Sequence, residues 1–171
     1  MKTDVLTLAL KWAEDEVFSS KFFILFGVLF VSGAIGFWQM GKSEVAKAFI
    51  HPLWVCGVLL MIVGIGLVYT NYKRMESFPE EHAASVPHFV NAEMQRVNKT
   101  VAEYERIVFT VIPLIIVAAA LMLIFINTPL WRALSISIIG MMVIILFIDS
   151  NAHSRMKSYQ KELVIFQKQY R

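Results

Sequence analysis

Four apolar stretches, Phe22 to Met40, Pro52 to Thr70, Ile107 to Ile126 and Pro129 to Ile148, constrain this chain more than any other feature. Arg132, close to one end of the last, is the only charge in any of them. A helix of about 20 residues covers the roughly 30 Å hydrocarbon core of a bilayer. It also satisfies its backbone hydrogen bonds where no water is available. The chain has 171 residues, of which 57% are hydrophobic and 17% charged. Soluble domains have about 45–50% apolar and about 25% charged residues, so a water-soluble globule and a disordered chain are both excluded. A cleaved signal peptide does not fit the first stretch: the acidic run Glu14-Asp15-Glu16 stands where a basic start is needed, and the apolar residues continue past Ser32-Gly33-Ala34. The lone Cys56 makes neither an internal disulfide nor a thiolate metal cluster.

Basic residues set the expected orientation. Lys2, Lys11 and Lys21 precede the first stretch; Lys73, Arg74, Arg96, Lys99 and Arg106 lie in the long middle connection; Arg155, Lys157, Lys161, Lys168 and Arg171 lie in the tail. Only Lys42, Lys47 and Arg132 fall on the other side. The distribution predicts a multi-pass cell-membrane protein with both termini cytoplasmic. Trp38, Trp54 and Trp131 fall at the opposite, outer surface, as an aromatic belt requires.

The polar mass is expected on the cytoplasmic side. Met94, Val97, Val101 and Tyr104 recur at coiled-coil spacing in a stripe that begins at Val90 and runs into the third span. Met156, Tyr159, Leu163 and Phe166 repeat the spacing in a tail stripe from Ala152 to Tyr170. These eight residues are the predicted seam of a two-helix stalk, packed within one subunit or between subunits, with Glu93, Arg96, Lys99 and Glu103 on an outer polar face. Val5, Leu8, Ala9, Trp12, Ala13 and Val17 share one face of an amphipathic arm that Ser19-Ser20 interrupts. That arm either lies in the membrane interface, held by Trp12, or packs on the stalk.

The predicted fold is therefore all-α and polytopic. Residues 1–20 form an amphipathic helix, 21–72 a first transmembrane hairpin, 73–105 a cytoplasmic connection, 106–149 a second hairpin and 150–171 a cytoplasmic helix. A weak repeat relates the hairpins: Pro52-Leu53-Trp54 matches Pro129-Leu130-Trp131, and Arg74-Met75-Glu76-Ser77-Phe78 matches Arg155-Met156-Lys157-Ser158-Tyr159. Small residues at Ser32 and Gly36, at Ala133 and Ser137, and at Gly57, Gly64 and Gly66 suit close helix contact. Pro113 predicts a kink in the third span.

No span carries a central ionisable residue, which argues against an ion-driven transporter. The most enzyme-like group is Asp149, Asn151, His153 and Arg155, where Asp149 and His153 share a helix face four residues apart. No nucleophile motif or phosphate loop accompanies it. His82 and His88, expected in a turn after Phe78-Pro79-Glu80-Glu81, fit no standard metal spacing. The basic residues of the middle connection are interleaved with acids, which gives no nucleic-acid footprint, while the tail would attract anionic lipid. The expected function is non-enzymatic and needs no cofactor or metal: a small subunit that self-assembles among membrane lipids and recruits or senses a cytoplasmic protein through its stalk. The alternatives are a homo-oligomeric channel and an interfacial lipid-modifying enzyme.

Overall fold

The computed structural model describes residues 4–169 and is helical almost throughout. Tyr170 of the tail stripe, and Lys2 and Arg171 of the basic set, lie outside the described residues. Its elements are α1 (Val5–Met40), a short α2 (Glu44–Ala48), α3 (Ile50–Ala84), α4 (Val86–Glu103), a π-helical stretch (Tyr104–Val111), α5 (Ile112–Phe125) and α6 (Pro129–Gln169). They form four antiparallel rods of 36 to 41 residues, each long and apolar enough to cross a membrane. Every rod is about twice the length a bilayer needs. The surplus from all four collects at one end and makes a polar distal bundle beyond the apolar half.

That bundle is a correction to the two-helix stalk. Its core draws Val5, Ala9 and Trp12 from α1, Phe78 from α3, Phe89 to Val101 from α4, and Met156, Tyr159 and Leu163 from α6. Two amphipathic helices bury only one stripe each, whereas four enclose it. The amino-terminal arm is likewise not a separate interfacial helix. α1 passes through Ser19 and Ser20 unbroken, the Ser20 hydroxyl donating to the Glu16 carbonyl at 2.7 Å. Trp12 is 5% exposed inside the bundle.

In the apolar half, Phe23, Cys56, Leu60, Met141 and Ile148 form a second core. α1 and α3 touch through glycine. A Cβ on Gly27 would stand 2.6 Å from the Met61 side chain and 2.8 Å from the Gly57 carbonyl, and one on Gly64 would stand 2.7 Å from Ile24. Gly27 escaped the sequence reading, while Gly36 and Gly66 face open space. Ala133 and Ser137 are buried as their spacing suggested, but Ser32 is exposed and Ala34 takes the contact on α1.

The connections are tighter than expected. Ser85 alone separates α3 from α4 and accepts a hydrogen bond from the His88 amide. α3 continues through Pro79, so His82 is helical rather than in a turn. The disturbance caused by Pro113 lies before it: its ring cannot donate to the preceding turn, and Tyr104–Val111 winds as a wider π-helix.

Candidate functional site

Within the distal bundle, helical spacing brings polar side chains inward from four rods. Trp12 and Glu16 are one turn apart on α1, as are Arg155 and Tyr159 on α6, with Arg74 on α3 and Glu93 and Arg96 on α4. Glu93 is 4% exposed and accepts from Arg96 Nε at 2.8 Å, from Arg96 Nη2, and from the Tyr159 hydroxyl at 2.8 Å. The Trp12 ring stacks on Tyr159 with centroids 5.4 Å apart, and the Arg96 guanidinium lies 4.4 Å over it. Glu16 accepts from Arg155 Nη2 at 3.0 Å.

Burial governs the charges here. It holds the Glu16 carboxyl above its usual range despite the opposing pull of Arg155. The Tyr159 phenol is pushed far up by burial and by the adjacent Glu93 carboxylate. The Arg74 guanidinium is lowered by burial and by Arg96. Ionised groups so enclosed are stable only with their partners, and removing one partner of a buried pair costs about 3–5 kcal/mol.

The predicted seam is brought together, but inside a single chain. Met94, Val97, Val101, Met156, Tyr159 and Leu163 are buried in the distal core, with Tyr104 and Phe166 packed against it. The enzyme-like group is split instead. Asp149 and His153 form no ion pair; the His153 ring sits 5.0 Å from Phe109 and 5.7 Å from Tyr104, and burial followed by Lys157 lowers its pKa. Arg155 turns to Glu16, and Asn151 donates to the Phe147 carbonyl at 2.8 Å. His82 approaches Asp4 at 3.6 Å. Among the described residues no cluster of three His, Cys, Asp or Glu side chains is placed to hold a metal.

Sequence periodicity does not single out Glu16 as a buried partner, and Glu93 is buried rather than on the outer polar face expected of it. The legible signal was Tyr159: a tyrosine in an apolar stripe needs an acceptor when buried, and Glu93 adjoins the facing stripe. Comparison with protein-family models, curated proteins and solved structures finds no match. Function must therefore be read from surfaces. With its seam buried, α6 turns Lys161, Val164, Ile165 and Lys168 outward; Val164 is 37% and Ile165 62% exposed. These four positions share one helical face.

Proposed function

We propose that the protein is a non-enzymatic membrane subunit whose four rods cross the bilayer with both termini cytoplasmic and whose distal bundle engages a cytoplasmic protein. The observation that carries this reading is the apolar pair Val164 and Ile165 between Lys161 and Lys168 on an otherwise polar helix face. Such a face suits an amphipathic segment with an acidic rim. Anionic lipid is a weaker candidate for this tail. Lys161 lies 13 residues beyond Ile148, roughly 20 Å along the helix and past the ~8 Å Debye length at physiological salt. Engagement of the heptad stripes within one chain removes the main argument for self-assembly, which remains a secondary proposal resting on the exposed apolar flanks of the rods.

The test is co-purification from native membranes of wild type and the double variant Val164→Glu, Ile165→Glu. Both side chains point outward, so the bundle keeps its fold and loses the partner that the wild type retains. An identical set of co-purifying proteins at equal abundance would refute this reading.

A further inference from the structure

A groove of about 310 Å³ opens between α1 and α6 where their apolar stretches give way to polar residues. Its wall includes Phe18, Phe22 and Phe147, 62%, 39% and 70% exposed, and its rim carries Asp15, Ser19, Asn151 and Arg155. The polar groups at that rim are unevenly engaged. Arg155 gives Nη2 to Glu16, and its side chain, 30% exposed, lines the groove. Asn151 commits its amide hydrogen to Phe147 and keeps its carbonyl oxygen free to accept. Asp15 is exposed and pairs with no cation among the described residues. The rim thus sets the Arg155 guanidinium beside three groups that can accept: the Asp15 carboxylate, the Asn151 carbonyl and the Ser19 hydroxyl.

We propose that this groove binds phosphatidylethanolamine, its phosphate taken by Arg155, its ammonium by Asp15, Asn151 and Ser19, and an acyl chain laid on the phenylalanines. The inference rests on the membrane reading above, which puts Phe22 and Ile148 at headgroup depth. Charge complementarity selects the lipid. An ammonium offers three N–H donors, which the rim can accept, whereas a choline headgroup offers none. An anionic glycerol headgroup brings no cation for Asp15.

The full-length protein is reconstituted in nanodiscs with equal phosphatidylethanolamine, phosphatidylcholine and phosphatidylglycerol of identical acyl chains, released into mild detergent, and its retained lipids are counted by native mass spectrometry. Wild type retains phosphatidylethanolamine roughly tenfold over phosphatidylcholine, the scale of one charge-assisted hydrogen bond. Asp15→Asn and Asn151→Leu, both at exposed positions, reduce that preference severalfold, while Phe18→Ser lowers retention of all three lipids together. Equal retention of the ethanolamine and choline lipids by wild type overturns the proposal, as does a preference for phosphatidylglycerol that survives Asp15→Asn. Carbonate extraction separates the premise from the site. Release of the protein from membranes overturns the membrane reading, and an embedded protein without lipid preference overturns the groove alone.

Discussion

Glu16 shows how one buried carboxyl ties the distal bundle to pH. Its folded pKa lies above the ordinary 4.5, burial outweighing Arg155. The stability it contributes is therefore fully present below about 4.5 and is lost as pH rises through the raised folded value. Thermal unfolding of wild type against Glu16→Gln, followed at α1, should show wild type gaining stability relative to the variant as pH falls through the raised value toward about 4.5. A gap that widens in the opposite direction would contradict the burial argument. Glycine gives a second residue-scale prediction. At Gly27 an added methyl meets the Gly57 backbone, which cannot swing aside, so Gly27→Ala should destabilise by about 1–3 kcal/mol. Gly36→Ala and Gly66→Ala meet nothing within 4 Å and should leave the melting temperature in the same detergent nearly unchanged or slightly raised.

Among the elements, α6 binds the two halves together, because its 41 residues serve the apolar core at Met141 and Ile148 and the distal core at Met156 and Leu163. Leu163 is fully buried, so Leu163→Ala should cost about 2–5 kcal/mol in the distal bundle. Leu163→Asp should open it, since an aspartate there is desolvated without a partner. The apolar half has its own core and should persist. Hydrogen exchange should accordingly rise in 86–103 and 152–169 while 22–40 and 52–70 remain protected, and a chain truncated after Ser158 should lose protection in 86–103 in the same way. Loss of protection in all four rods together would show that the halves are one cooperative unit. The π-helical stretch sits at their junction on the third rod, where Tyr104 and Phe109 pack on His153.

At the scale of the whole molecule, the polar residues are displaced to one end, and the predicted orientation puts that end in the cytoplasm. Cysteine placed at Glu44, 85% exposed at the side chain in the short α2, should react with an impermeant thiol reagent from outside. At Lys99, 80% exposed on the distal bundle, it should react only after permeabilisation. The native Cys56 is buried and does not compete. Reversed labelling would invert the topology and with it the compartment of the proposed partner. Phe78 and Tyr159, the aromatics of the two matching segments, both enter the distal core.

The rods and their apolar halves are legible in the sequence, because a run of about 20 uncharged residues has few stable forms other than a spanning helix. The sequence also marked the seam at Met94, Val97, Val101, Met156 and Leu163, since heptad spacing is a local property of each helix. Periodicity names the face of a helix and leaves its neighbour open. Packing between rods is what brings α1 and α3 in to complete a four-helix distal bundle, puts Trp12 inside it, and closes the seam within the chain. The pairing of Glu93 with Tyr159 and of Glu16 with Arg155 belongs to the same class. Each depends on how rods distant in sequence are turned toward one another, and that rotation is set by packing at contacts such as Gly27 against Gly57.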